Sequence, residues 1–149
     1  IILIILSTNL TAQSSKKIEI LNADYTFANI NKHPEYWRLI GNVSFKHNNA
    51  IMDCDSAYHF ANTNKIKAFG KIRITQGDSL TLTGRKLTYF GAKNKADING
   101  NVVLIDKYIT LETEQIFYNL NTNIASYPSD GKIIEYEKTP TEENGGNQI

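Results

Sequence analysis

The residues able to do chemistry in this chain are few and poorly placed for it. Asp53 and Asp55 flank the only cysteine, Cys54, on one face of an alternating stretch, and such a carboxylate pair could shuttle protons or hold calcium. The matching positions further along the chain are Thr81 and Thr83, then Thr110 and Glu112, so a solvated strand face is the simpler account. His33, His47 and His59 form no HExxH pair and stand beside no Cys or carboxylate at metal-ligand spacing. Positions near strand ends predict a solvated or rim location for His47 and His59. A lone thiol inside a strand pattern reads as a small buried hydrophobe, and it excludes an internal disulfide framework. No phosphate-binding loop, dinucleotide fingerprint or nucleophile elbow occurs. The expectation is therefore no catalytic residue, no metal and no cofactor: an enzyme has no positive support.

The elements that carry these residues can be read from composition and pattern. A length of 149 residues, 41% hydrophobic and 21% charged, fits one ordinary folded domain. With 16 basic and 15 acidic side chains the net charge is +1, which lacks the overall excess that a nucleic-acid binder or a polybasic membrane-surface protein carries. No nucleic acid is expected as a partner. Ile, Thr, Tyr and Asn are abundant, the mixture of strand formers and turn formers that all-β folds use. Residues 1–12, IILIILSTNLTA, are too short an apolar run to span a bilayer and read as the remnant of a signal peptide ending near Ala12, which predicts export. Residues 138–149, with Pro140 and the Gly145–Gly146 pair, read as a polar tail or linker. The folded domain is expected over 13–137.

An internal repeat organises that domain. Gly41-Asn-Val-Ser-Phe45, Gly70-Lys-Ile-Arg-Ile74, Gly100-Asn-Val-Val-Leu104 and Gly131-Lys-Ile-Ile-Glu135 recur at a period of roughly 30 residues. Each of the first three is followed by a turn signal (Asn48-Asn49, Gly77-Asp78, Asp106-Lys107), a second alternating stretch and a third ending in an aromatic. Another turn then recurs at Asn62 to Asn64, Gly91 to Asn94 and Asn121 to Asn123. Every piece alternates apolar and polar side chains over four to six residues, as half-buried strands do, and none holds a helical period. Antiparallel strands folded into two facing sheets follow, with the recurring glycine at a bend or bulge. Ile18 to Phe27 reads as the end of an incomplete earlier unit. Asn31 to Leu39 breaks the pattern and is expected to be a connecting loop, with Trp37 covering one end of the core.

This order of motifs resembles the OstA-like family. The likeness runs from about Ile18 to Glu135 and is densest over Gly77 to Asp106, GDSLTLTGRKLTYFGAKNKADINGNVVLID. The resemblance implies a twisted β-jellyroll whose two sheets form an elongated apolar trough. It further implies a periplasmic domain, one that can associate with the outer membrane, that shields lipopolysaccharide acyl chains during transport and outer-membrane assembly. The candidate lipid-binding residues, apolar at alternate strand positions, are Val43, Phe45, Ile72, Ile74, Leu80, Leu82, Leu87, Val102, Leu104, Ile109, Leu111 and Ile116. The implied partners are lipopolysaccharide, through its lipid A acyl chains, and other OstA-like domains joined end to end by strand addition. Ile18 to Phe27 and Gly131 to Tyr136 would be the contact edges.

Two other readings stay open at this point. One is a secreted structural or adhesive β-repeat with a closed core. The other is a carbohydrate-binding module, for which Tyr58, Tyr89 and Tyr118 recur at near-equivalent positions and would have to be exposed.

Overall fold

The computed structural model describes residues 16–128 and 130–135. The signal-peptide reading of residues 1–12 and the tail reading of 138–149 lie outside the described residues, as does Tyr136. The chain is all-β, as its composition and alternation predict. The strands are β1 (Glu19–Asn22), β2 (Tyr25–Asn29), β3 (His33–His47), β4 (Ala50–Phe60), β5 (Lys65–Gln76), β6 (Leu80–Phe90), β7 (Lys95–Ile105), β8 (Ile109–Asn119), β9 (Ile124–Ser126) and β10 (Lys132–Glu135). They form one ten-stranded sheet in which β3 to β8 pair as a sequential antiparallel meander. At one end β1 and β2 both pair with β3; at the other, β9 and β10 both pair with β8.

One sheet makes two facing layers because each long strand is bent near its middle. Gly41, Gly70 and Gly100 have φ of +80°, +79° and +89°, and the residues after them, Asn42, Lys71 and Asn101, are also left-handed. In the register, Gly41 and Asn42 oppose Asp55 alone, Gly70 and Lys71 oppose Arg85, and Gly100 and Asn101 oppose Glu114. Two residues against one is a β-bulge, which bends and twists the strand. The recurring glycines therefore stand at bends, as the repeat predicts. Gly131 instead leads into β10 and is not among the positive-φ residues. The extra residue also shifts the phase of alternation across each bend in β4, β6 and β8. In β6, for instance, the buried positions run Leu80, Leu82, then Leu87, Tyr89. Stretches that look like separate short strands in the sequence are halves of one strand for this reason.

The first halves of β3, β5 and β7, with their partners, make one leaf (leaf A), edged by β2 and β9. The second halves make leaf B, edged by β1 and β10. Their inner faces carry unbroken cross-strand rows. On leaf B the row reads Ile20, Phe45, Met52, Ile74, Leu82, Leu104, Leu111, Ile133, one residue per strand. On leaf A, Leu39, Ala57, Ala68, Leu87, Ile98 and Ile116 form one such row. The bulk of both rows is buried, and that burial, about 25 cal/mol per Å² of apolar surface, is what holds the leaves together.

Opposite the bends, the free ends of the leaves are joined by hydrogen bonds. His47 Nδ1 lies 2.7 Å from the Tyr89 hydroxyl and its Nε2 2.7 Å from the Lys16 carbonyl. Asn48 Nδ2 donates to Asn94 Oδ1 at 3.0 Å, and Gln76 Nε2 donates to the Leu120 carbonyl at 3.0 Å. The turn asparagines Asn64 and Asn94 are left-handed, and their carbonyls accept from the backbone N–H groups of Gly91 and Leu120 in the following turns. Asn accepts this conformation more readily than most residues, which is why the turn asparagine recurs.

Three local expectations are corrected. Asn31 to Leu39 is not a loop: strand begins at His33, and Trp37 sits in β3 opposite Ala28 and His59. Pro34 is tolerated because no ladder pair falls on it. His47 and His59 are not solvated: they are 2% and 9% exposed. A histidine is kept inside where both ring nitrogens find partners, as at His47.

His59 lies on the inner face of leaf A with its ring 6.0 Å from that of Phe45. Burial lowers its pKa below the ordinary histidine value. The folded protein thus holds it neutral while the unfolded chain takes up a proton, so stability is lost as pH falls below about 6.5. The urea midpoint is expected to be lower at pH 5.5 than at pH 7.5. The drop should shrink in His59→Tyr, which carries the residue that Tyr89 and Tyr118 supply in the same inner row. An equal drop in both proteins would assign the pH dependence elsewhere.

Candidate functional site

Between the leaves, at the end nearest β9 and β10, the interior is not filled. A cavity of about 520 Å³ lies there, within the ~300–1,000 Å³ of small-molecule sites. Leaf B contributes Leu80, Leu104, Ile109, Leu111 and Ile133; leaf A contributes Tyr118 and Ala125, with Tyr127 beside them. Gln76, Ser79, Asp106 and Asn123 also line it. The arrangement follows from the strand register. The Gln76–Leu120 hydrogen bond joins the leaves beside the cavity, and β9 and β10, which flank it, are only three and four residues long.

The side chains at this site offer apolar contact and hydrogen bonding. Aliphatic and aromatic side chains share its walls with Asn49, Gln76, Ser79, Asp106 and Asn123. The Asp106 carboxylate is engaged with the backbone N–H groups of Tyr108 and Ile109, at 2.7 and 2.8 Å. Gln76 Oε1 is buried without a hydrogen-bond partner while its Nε2 is used. Burial raises the pKa of the Tyr118 hydroxyl, with a smaller contribution from Asp106, so it stays neutral. Among the described residues no group of three or more His, Cys, Asp or Glu is arranged to hold a metal ion. Cys54 is inside the core, its pKa pushed up to about 12 by burial and then by Asp53 and Asp55, which leaves it an inert thiol.

The twelve sequence candidates divide by place. Leu80, Leu104, Ile109 and Leu111 border the cavity. Val43, Phe45, Ile72, Ile74, Leu82, Leu87, Val102 and Ile116 are packed in the closed part of the interior, each 3% exposed or less. Ile133 and Tyr127 complete the cavity without having been singled out; the alternation of Gly131 to Glu135 was the signal for the former. Tyr89 and Tyr118 are 0% and 5% exposed, and Tyr58 faces the opposite side of the sheet from them. The flat row of exposed tyrosines needed by a carbohydrate-binding module does not exist; the position equivalent to Tyr89 in the first unit is His59.

Comparison with known proteins is consistent with this geometry. The family model described as OstA-like protein matches residues 15–148. No curated protein matches. Among solved structures, the chain is similar to LptH, the LptA homologous periplasmic component of the conserved lipopolysaccharide transport device from Pseudomonas aeruginosa. The TM-score is 0.66 at 15% sequence identity, covering 83% of this chain and 96% of that one. At that identity the likeness concerns the fold: a bent, two-leaved meander.

Proposed function

This chain belongs to the OstA-like protein family, and on that premise we propose that it is a periplasmic lipid carrier. Its interior shelters lipopolysaccharide acyl chains on their way to the outer membrane. The observation that carries this reading is the apolar row of leaf B ending in a solvent-reachable cavity between the leaves. A hydrocarbon chain gains about 0.8 kcal/mol per methylene on leaving water, so ten methylenes supply about 8 kcal/mol before ordering costs. Nothing more specific than an apolar channel is required. The four cavity residues form the receiving end, and the eight packed candidates form the continuation that opens when the leaves separate along the hydrogen-bonded seam.

A carrier between two membranes works best as part of a chain of such domains. Among the described residues β1 and β2 are the edge strands at one end, β9 and β10 at the other. Leu21, Tyr25, Ile124 and Ile133 on these strands are exposed. Unpaired edges invite strand addition, and a second copy or another domain of this family is the proposed partner. Residues 1–12 are the proposed export signal, 13–137 the carrier unit and 138–149 a tail. A secreted structural repeat with a sealed core is disfavoured by the cavity.

The test is photo-crosslinking. A photoreactive side chain at Leu104 is expected to label lipopolysaccharide, whereas one at Val103, on the outer face one residue away, is expected not to. Labelling from Val103 alone would reject the interior as the binding surface.

A further inference from the structure

The outer faces of the two leaves differ in how their charges are arranged. On leaf B each strand-borne cation stands opposite an acid in register: Lys46 faces Glu19, Arg73 faces Asp53 and Lys132 faces Glu112. Leaf A carries Arg38, Lys65, Lys67, Lys86 and Lys95 on its outer side, with Asp97 on that face and Glu35, paired with His33, at the start of β3. Asp97 stands opposite Thr88 and Phe117 and accepts from Asn99 and Gln115. No lysine or arginine of either leaf makes an ion pair among the described residues, where the one found is His33–Glu35. The leaves differ in register, with an acid opposite each leaf B cation and none directly opposite the five on leaf A. The net charge of +1 conceals this segregation.

The same face is aromatic. One cross-strand row reads Phe60, Lys65, Phe90, Lys95, alternating ring and ammonium. The Lys65 ammonium lies 4.7 Å from the Phe60 ring centroid, and the Arg38 guanidinium 4.8 Å from that of Tyr58. Phe27, Phe69, Phe90 and Phe117 are 37–56% exposed. Towards β9 a shallow cleft of about 620 Å³ runs between Phe90, Phe117 and Ile124, with Lys93 and Lys95 on its border.

We propose that the outer face of leaf A docks on a bilayer surface rich in anionic headgroups. Rings at headgroup depth and lysines whose stems lie on apolar surface while the ammonium reaches outward are the chemistry of a membrane interface. Protein interfaces are depleted in lysine. A nucleic-acid groove would track phosphates with basic groups on a domain far more basic than this one. Unbalanced positive charge here complements a negative leaflet, and the aromatic rows supply the apolar contact that charge alone lacks. Docking sets the carrier's long axis along a membrane and holds its interior beside the lipid it receives.

The experiment is flotation of the full chain with vesicles free of lipopolysaccharide. Binding is expected to phosphatidylglycerol-containing vesicles, to weaken as salt rises, and to be absent on pure phosphatidylcholine. Combined Lys65→Glu, Lys67→Glu and Lys95→Glu is expected to lower binding about tenfold or more. The same change in net charge on leaf B, by Lys46→Glu, Arg73→Glu and Lys132→Glu, is expected to leave most of it. Phe90→Ser with Phe117→Ser should weaken the binding that survives high salt. Equal binding to both vesicle types, equal loss from either leaf, or retention on a polyanionic resin without vesicle binding overturns the proposal. Ile109→Arg, aimed at the interior, is expected to keep vesicle binding, so the outer-face and interior readings fail separately.

Discussion

Ile109→Arg is expected to leave the protein folded and to lower its affinity for lipopolysaccharide about a hundredfold. Ile109 is half-buried, sits at the first position of β8 and borders the cavity from leaf B. A guanidinium there reaches water through the mouth, so folding escapes the desolvation cost. A bound acyl chain would bury it, and burying an unpaired charge costs several kcal/mol; two factors of ten need about 2.7 kcal/mol. Val103→Arg is the matched control, since Val103 lies on the outer side between Thr83 and Glu112. Equilibrium binding of labelled lipopolysaccharide, with circular dichroism to confirm the fold, reads the result. Unchanged affinity in Ile109→Arg would move the binding surface away from this cavity.

Gly100→Val is expected to destabilise the fold by about 3 kcal/mol or more. At φ +89° a β-branched residue is strained. A Cβ there would also lie 2.8 Å from the Arg85 Cβ, closer than such atoms approach, so the neighbouring strand must move. Gly77→Ala separates the two causes. Gly77 is also left-handed, at φ +58°, but has open space around it, and only the conformational cost of about 1 kcal/mol remains. Urea unfolding gives both values. Equal small losses would mean that the bend relaxes and is not what folds the sheet into two leaves.

Much of this architecture was legible because the physics at its key points admits few residues. A bend that needs positive φ selects Gly41, Gly70 and Gly100, and turns that need the same select Asn64, Asn94 and Asn123; both leave a periodic mark. Alternation then gave the inner rows, and with them the resemblance. The failures are equally physical. The extra residue at each bulge breaks the alternation, so half-strands read as strands, and a slip of one residue put Tyr58 where His59 belongs. Pro34 made strand β3 look like a loop at its start. His47 was placed at the rim because a polar side chain at a strand end is usually solvated. Its two partners, the Tyr89 hydroxyl and the Lys16 carbonyl, are 42 and 31 residues away and leave no local trace. Which part of the apolar interior stays unfilled depends on how far the last strands reach, and that cannot be read from a hydrophobic pattern.

The bend on every second long strand has an architectural consequence. Each repeat of about 30 residues advances the spine by two inter-strand spacings, about 10 Å, without changing the cross-section. Duplication or loss of a whole repeat therefore lengthens or shortens the two-leaved sheet in fixed steps while its cross-section stays the same. Repeat number thus sets the length of the folded sheet independently of its width.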